Sequence, residues 1–392
     1  MTQGLWRSAL VLGLLSLVAP FAIDMYLPAM PEIAADFGVG EAEIQATITA
    51  YFIAFGVAQM IYGPWADQAG RKIPTLVGLA VFLLGSAGAA LSGSSLELVA
   101  WRFVQGLGGA ALMVLPRAII RDLYTGAAAT KLMALIMLVI SVSPMLAPLA
   151  GSIVVAAAGW RAIFWIISAA TVLSLAITML GLPETLRRDM RVPLDLRVLA
   201  RGVRELLQDR NFLAYTFIGA FGISAFFVFI ASAAFVYRGQ YGLGPTEFAL
   251  AFAVNAIGFI GASQVAGLLA ERFPLGRVIR GGTGIFAASA LSLLAVTLAT
   301  EAPLYLVAAL MLFAFAGFGL VYPTTLVMAL DEHGCNAGLA SSFGGTLQMF
   351  TGGLMIVLTG PVFDGTVVPM AAVIAACATI SFLLTLAVRV RY

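Results

Sequence analysis

The chain has 392 residues, of which 61% are hydrophobic and only 10% are charged. Soluble domains carry about 25% charged residues, and the mean hydropathy of this chain is +1.03. This composition excludes a soluble globular protein and indicates one that crosses a membrane many times. The formal net charge of +2 does not by itself indicate a class of binding partner.

Apolar runs long enough to cross a bilayer recur along the whole chain. A transmembrane helix needs about 20 apolar residues, and these runs do not alternate in polarity as barrel strands do. Twelve runs qualify, at residues 8–31, 44–64, 73–93, 97–118, 132–157, 161–181, 212–236, 247–269, 278–298, 303–328, 338–360 and 366–388. We therefore predict an all-α polytopic membrane protein with twelve transmembrane helices.

The longest polar stretch, "LPETLRRDMRVPLDLRVLARGVRELLQDRN", lies between the sixth and seventh apolar runs. It predicts two six-helix bundles, residues 1–181 and 212–392, joined by a linker over 182–211. The linker is rich in arginine, which favours a basic tether beside anionic lipid.

Basic residues lie on one side of the predicted membrane. When the loops are numbered from an inside N-terminus, all but three of the 21 lysines and arginines fall inside. The exceptions are Arg102, Arg161 and Arg238. Because positive charge marks the cytoplasmic side, we predict that both termini face the cytoplasm.

The two halves carry a similar stretch between their second and third spans, "GPWADQAGRK" and "GLLAERFPLGR". The shared positions are Gly63, Asp67, Gly70 and Arg71 in the first stretch, and Gly267, Glu271, Arg272, Gly276 and Arg277 in the second. They stand 204 to 206 residues apart. Duplicated six-helix halves are typical of transporters that rock around a central site.

Among the charged residues of the predicted spans, only Asp24 in the first and Arg102 in the fourth lie well away from the span ends. A charge at the centre of a bilayer helix costs about 2.5–3.5 kcal/mol. The two fall at similar depth on different helices, where each can offset the desolvation of the other. Two other interpretations stay open: Asp24 caps a helix that ends at Pro28 and reaches water, and Arg102 is a purely structural tie.

These residues resemble the major facilitator superfamily over the whole chain. Asp67 and Arg71 match that family's loop signature, although Gln68 stands where the signature usually has arginine. "RFVQG" is similar to the fourth-span signature, whose arginine is linked to proton coupling. "LVISVSPMLAPLAGSIVVAAAG" resembles the antiporter motif of drug exporters, through Pro144, Pro148 and Gly151.

In that motif Ala147-Pro148 stands in place of the usual Gly-Pro. This form and the stretch "DMYLPAMP" resemble the bicyclomycin and chloramphenicol resistance subfamily. The resemblance implies proton-coupled efflux of hydrophobic drugs, phenicol- or bicyclomycin-like, across the bacterial inner membrane. Asp24 and Arg102 are then the proton-coupling pair, and the repeated loop residues form an inner gate. The alternative is a proton-coupled uptake carrier for a small metabolite.

We expect no cofactor and no enzyme activity, because the chain has no HExxH, Cys/His cluster or Walker loop, and His333 is its only histidine. The expected partners are a small-molecule drug, protons and membrane lipid, without nucleic acid, and the chain is expected to be a monomer.

Aromatic and polar residues on the spans predict a substrate cavity. Apolar walls with a few polar groups suit varied hydrophobic ligands. The candidates are Tyr26, Ile48, Tyr51, Phe55, Gln59, Gly109, Phe226, Asn255 and Gln348. For any one of them, helix packing or lipid contact is the alternative role.

Overall fold

The computed structural model describes residues 3–124, 126–191, 196–331 and 337–387, so His333 lies outside the described residues. The described residues form fourteen α-helices and contain no β-strand. The helices of the first half are α1 Gln3–Asp24, α2 Met30–Phe37, α3 Glu41–Ala69, α4 Lys72–Leu91, α5 Ser95–Leu123, α6 Gly126–Ala158 and α7 Arg161–Gly181. Those that follow are α8 Leu196–Gln208, α9 Arg210–Phe235, α10 Pro245–Arg272, α11 Leu275–Ala299, α12 Leu304–Leu330, α13 Ala337–Thr359 and α14 Val367–Ala387.

Eleven helical segments of the described residues are long and apolar enough to cross a membrane, counting Leu10–Phe37 as one. The shorter apolar segment Val142–Ala158 belongs to α6, which has 33 residues in all and occupies the position of the predicted fifth span. The prediction of an all-α polytopic membrane protein is therefore confirmed.

The first span differs from the single helix predicted over residues 8–31. The α-helix α1 ends at Asp24, a 3₁₀ turn covers Leu27–Ala29, and α2 continues to Phe37. Pro28 and Pro31 lack backbone N–H donors, and each lies in the first turn of the helical element that follows, where such a donor is not needed. The break places Asp24 at a helix end.

The chain divides into two compact units. Unit 1 comprises Met1–Val39 and Ala50–Leu196, and unit 2 comprises Gly40–Thr49 and Arg197–Tyr392. Within unit 1, α4 packs against α5 and α7, and α1 packs against α5, α6 and α7. Within unit 2, α9 packs against α12, α13 and α14, while α11 packs against α12 and α14.

The two units repeat one close helix crossing. In unit 1, Gly108 of α5 lies directly against the backbone of Phe82 in α4, with no room for a Cβ atom. In unit 2, Gly317 of α12 lies in the same way against the backbone of Phe286 in α11. Phe82 and Phe286 are 204 residues apart, the same interval as in the charged loops. The internal repeat therefore extends from the loops to helix packing.

Candidate functional site

Asp24 ends α1 in a buried position, with 5% of its surface exposed. Its Oδ2 accepts a hydrogen bond from the Ser143 hydroxyl of α6 over 2.8 Å. The two helices meet closely because Gly151 of α6 lies against the carbonyl oxygen of Met25, where a Cβ atom would not fit. The carboxyl group thus lies at a tight crossing of α1 and α6.

Arg102 is completely buried in α5. Its Nη1 donates to Oε1 of Gln105 at 2.5 Å and to the carbonyl oxygen of Ala22 at 3.3 Å. The guanidinium carbon lies 4.7 Å from the ring centroid of Tyr26 and 4.6 Å from that of Tyr51. Arg102 is therefore held between two aromatic rings, an arrangement that stabilises a buried cation.

Gln105 connects Arg102 to α4. Its Nε2 donates to the hydroxyl of Ser86 over 2.7 Å, and that hydroxyl donates to the carbonyl oxygen of Phe82 over 2.8 Å. The chain of hydrogen bonds is short because Gly85 of α4 lies against the backbone of Gln105, with no room for a Cβ atom. It fixes the orientation of the guanidinium group.

Asp24 and Arg102 approach the same helix end but form no ion pair in the described part of the chain. Arg102 bonds to the carbonyl of Ala22, two residues before Asp24, whereas the Asp24 carboxylate is directed to Ser143 of α6. In this conformation, the carboxyl group contacts a neutral hydroxyl, and the guanidinium group contacts two amide oxygens and two aromatic rings.

Arg71 is the centre of a second charged site, which we call the Arg71 network. The side chain follows α3, is 5% exposed, and bonds to Asp67 at 2.6 Å and to Asp122 at 2.7 Å. Burial lowers the pKa of Arg71, but hydrogen bonds and attraction to Asp122 and Asp67 outweigh it and raise the pKa above its ordinary value. The network joins the α3–α4 loop to the end of α5.

Glu184, just after α7, belongs to the same network. Its two carboxylate oxygens accept hydrogen bonds from the backbone N–H groups of Arg71, Lys72, Thr185 and Leu186. Burial raises the pKa of Glu184, but these four donors outweigh burial and hold it below its ordinary value. Gly70 permits the approach, because its φ is +97° and its Cα faces the Glu184 carboxylate without room for a Cβ atom.

The other predicted gate residues form no comparable cluster. Glu271, Arg272 and Arg277 are exposed, and no ion pair joins them to any part of the chain that the structure describes. Gly63 is half-buried, with no neighbouring atom close to where its Cβ would lie. Gln68, which replaces the signature arginine, is exposed beside the Arg71 network. Among the residues that the structure describes, the first copy of the loop therefore builds a buried charge network and the second copy does not.

The prolines of the predicted antiporter motif do not end α6. Pro144 and Pro148 both lie inside the helix, which continues to Ala158. Pro144 directly follows Ser143, so the donor to Asp24 lies beside a residue that removes a backbone hydrogen bond.

The predicted cavity residues of unit 1 form a buried cluster. Tyr26 and Tyr51 are fully buried beside Arg102, and Phe55 stacks on Tyr51 with ring centroids 6.2 Å apart. Gly109 leaves the space that the Tyr51 hydroxyl occupies, and Gln59 is half-buried. Tyr26 and Tyr51 therefore pack on Arg102, and Phe55 and Gly109 pack on Tyr51.

The predicted cavity residues of unit 2 lie on four different helices, α3, α9, α10 and α13. Ile48 is buried, Phe226 stacks on Phe259, and the Asn255 amide donates within its own helix. Gln348 lines a pocket of about 20 Å³, far smaller than the roughly 300–1,000 Å³ of drug-binding sites.

A larger pocket of about 390 Å³ lies in unit 1, between α2 and the turn before α7. Its lining includes Glu32, Asp36, Trp160 and Arg161, and none of the predicted cavity residues. Asp36 bonds to both Trp160 and Arg161, so the polar groups of this pocket are largely satisfied by one another.

Sequence reasoning missed Ser143, Gln105, Asp122 and Glu184 as parts of these sites. Gln105 is three residues after Arg102, a spacing that puts two side chains on one helix face. Asp122 and Glu184 are acids just beyond the ends of predicted spans, but neither lies in the repeated stretch that identified Asp67. Ser143 carries no such signal, because isolated serines are common in membrane helices.

A helical membrane protein with duplicated halves, charges buried within its spans and a charged loop network has the architecture of a secondary transporter. The family model described as Major Facilitator Superfamily matches residues 12–356. The chain belongs to this family of membrane transporters.

Relatives from two bacteria are named for drug resistance. The chain is 31% identical to a bicyclomycin resistance protein homolog of Haemophilus influenzae over 95% of its own length and 94% of that protein. It is 32% identical to a chloramphenicol resistance protein of Pseudomonas aeruginosa, over 74% and 70% of the two chains. Among solved structures, a D-xylose-proton symporter aligns over 97% of both chains with a TM-score of 0.79 at 16% identity, which shows the shared fold.

Proposed function

We propose that this protein exports hydrophobic drugs or antibiotics in exchange for protons, by alternating access. The observation that carries the proposal is the pair of buried charges in unit 1, Asp24 at 5% exposure and Arg102 at 0%. The resistance-named relatives, similar along most of the chain, support a drug as the cargo.

Asp24 is the proposed proton carrier. Protonation removes one unit of charge from the buried end of α1, and a nearby opposite charge favours the charged form of a carboxyl group. Movement of α6 or of Arg102 relative to Asp24 therefore changes the proton affinity between states. Each inward proton supplies about 2.3 kcal/mol per 100 mV of membrane potential, which drives the exchange.

Arg102 is the proposed partner of that cycle. Its charge is fixed in place by Gln105, the Ala22 carbonyl and two tyrosine rings. Because its contact at Ala22 is on the helix that carries Asp24, a shift of α1 changes the distance between the two charges.

The Arg71 network is the proposed inner gate. It ties the α3–α4 loop to α5 and to the residues after α7 through three carboxylates. Opening toward the cytoplasm would require some of these contacts to break. We place the chain in the bacterial inner membrane as a monomer with both termini cytoplasmic, driven by the proton gradient without a cofactor.

Drug susceptibility of a pump-deficient bacterium that expresses the chain tests the proposal. Phenicols, bicyclomycin and lipophilic cations are compared for wild type, Asp24→Asn and the control Glu43→Gln, which alters an exposed acid. We expect resistance to at least one class of drug in wild type and in the control, and its loss in Asp24→Asn. Equal resistance in Asp24→Asn would rule out the proposed proton carrier.

Direction of transport separates export from metabolite uptake. In inverted membrane vesicles, acidification of the interior should drive drug into the vesicle lumen if the protein exchanges protons for drug. Drug movement in the same direction as protons would instead identify the uptake carrier.

A further inference from the structure

The linker helix α8, Leu196–Gln208, packs on unit 2 through one face. Gly202 and Leu206 are buried. Gly202 lies against the side chain of Leu339 in α13, so closely that a Cβ atom would require that side chain to shift. The helix is thus docked along the protein and is not a free tether.

The opposite face of α8 is basic. Arg201 and Arg204 are exposed, and neither forms an ion pair with another residue that the structure describes. They are separated by three positions, so both project from the same side of the helix. The one acid of α8, Glu205, is also exposed and leaves the helix with a net positive charge.

Exposed apolar side chains lie on both flanks of these arginines. Val198 is 61% exposed and Leu207 is 50% exposed. A helix that combines basic residues with exposed aliphatic residues is typical of the interface between lipid headgroups and acyl chains. In water, the exposure of these aliphatic side chains would be unfavourable.

The position of α8 in the chain brings this surface to the membrane. Asp209 immediately follows α8 and caps the N-terminus of the spanning helix α9, by accepting from the backbone of Asn211 and Phe212. Because no other residue separates the two helices, the last turn of α8 lies where α9 enters the bilayer. Leu207 and Arg204 belong to that last turn.

We propose that α8 is a binding surface for anionic phospholipid, with Arg201 and Arg204 on the headgroup phosphates and Leu207 among the upper acyl carbons. Guanidinium groups bind phosphate through two parallel hydrogen bonds, which an ammonium group does not match. Each arginine near an anionic membrane surface strengthens binding about fivefold. This surface is independent of the drug and proton sites, so its test does not depend on transport.

Thermal unfolding of the purified full chain in detergent measures the binding, because a ligand of the folded state raises its stability. Short-chain phosphatidylglycerol is titrated against short-chain phosphatidylcholine. We expect the anionic lipid to raise the melting temperature more, and 0.5 M salt to reduce the difference through screening. The double variant Arg201→Gln/Arg204→Gln should bind phosphatidylglycerol about 30-fold more weakly.

Three matched variants make the result specific. Arg201→Lys/Arg204→Lys keeps both charges and should lose less affinity than the glutamine variant. Arg121→Gln/Arg188→Gln removes two exposed arginines elsewhere and should bind as wild type does. Leu207→Gln should weaken binding of the lipid while both arginines stay in place. If a variant melts lower without lipid, its lipid-dependent increase is compared with its own lipid-free value.

Several results would overturn the proposal. One is a wild type without any preference for phosphatidylglycerol over phosphatidylcholine, and another is a glutamine variant that keeps the full preference. Equal loss in Arg121→Gln/Arg188→Gln would assign the effect to net charge alone. Inorganic phosphate, or a short nucleic acid duplex, that matched the lipid at equal concentration would show general anion binding.

Discussion

The Ser143 hydroxyl donates a hydrogen bond to Asp24 over 2.8 Å and so joins α6 to the end of α1. The donor directly precedes Pro144, and Pro148 and Gly151 follow in the same helix. Prolines are the usual sites of helix kinks, so a change in the bend of α6 would move the hydroxyl relative to the carboxyl group. The bend of α6 at its prolines and the hydrogen bond to the buried acid are thus coupled.

Ser143→Ala should impair drug–proton exchange. The variant removes the described side-chain donor to Asp24, and a hydrogen bond to a charged group contributes about 1.5–3 kcal/mol. We expect the rate of proton-driven drug export in vesicles to fall about tenfold or more, since 1.36 kcal/mol corresponds to a factor of ten. Ser143→Thr keeps a hydroxyl at the same position and should retain most of the rate. An alanine variant as active as wild type would remove Ser143 from the mechanism.

Arg102→Lys should lose stability and export activity although it conserves the charge. The lysine ammonium lacks the planar group that lies 4.7 Å and 4.6 Å from the rings of Tyr26 and Tyr51. Two cation–π contacts contribute about 0.5–2 kcal/mol each. We expect a lower melting temperature in detergent and loss of export.

Tyr51→Phe is the matched control for the Arg102 prediction. It keeps the aromatic ring and should stay close to wild type in stability. A phenylalanine variant as damaged as Arg102→Lys would assign the effect to the Tyr51 hydroxyl.

The fold could be predicted from the sequence because a membrane leaves few choices. Every spanning segment must satisfy its own backbone hydrogen bonds, so long apolar runs become helices. The break after Asp24 was the exception: run length predicted a single helix over 8–31, and a helix end at Pro28 was only the alternative. The glycines of the repeated helix crossing, Gly108 and Gly317, are 209 residues apart in the sequence. This interval is close to the 204 to 206 residues between the charged loops.

The site was predicted only in part because sequence shows which residues are unusual and not which atoms meet. Asp24 and Arg102 were prominent as charges in apolar runs, and both are buried. Their hydrogen-bond partners depend on side-chain direction, which places Ser143 beside Asp24 and Gln105 beside Arg102. A single neutral hydroxyl or amide group changes the hydrophobicity of a span only slightly, so Ser143 and Gln105 were missed.

Asp122 should matter more than Asp67 for stability, although both bond to Arg71. The side chain of Asp122 is 14% exposed, whereas that of Asp67 is 53% exposed. Removing one partner of a buried pair costs about 3 kcal/mol or more, and an exposed pair contributes less than about 1 kcal/mol. Asp122→Asn should therefore lower the melting temperature clearly, and Asp67→Asn only slightly. The reverse order would show that the Arg71–Asp67 bond dominates.

Glu184 should make stability depend on pH in the acid range. Its pKa in the folded protein is held below the ordinary value of 4.5, so its contribution is complete above that pH. The contribution is lost as the pH falls through the lower folded-state value. Above pH 6, Glu184→Gln should be less stable than wild type by about 1–3 kcal/mol.

The difference between wild type and Glu184→Gln should shrink as the pH falls below about 4.5. Thermal unfolding of both proteins across this pH range checks the prediction. All other residues of the Arg71 network are the same in both proteins, so the difference between the two curves isolates Glu184. A constant difference at every pH would contradict the assigned backbone contacts.

Gly151→Ala should disturb the site by pushing α6 away from α1. The new Cβ atom would overlap the carbonyl oxygen of Met25, a backbone atom that cannot turn aside. Overpacking of this kind costs about 1–3 kcal/mol, and the displacement would lengthen the nearby Ser143–Asp24 hydrogen bond. Gly261→Ala is the control, since no atom lies within 4 Å of its added Cβ. We expect a lower melting temperature and slower export for Gly151→Ala alone; equal behaviour of the two variants would mean that the close α1–α6 crossing does not position the acid.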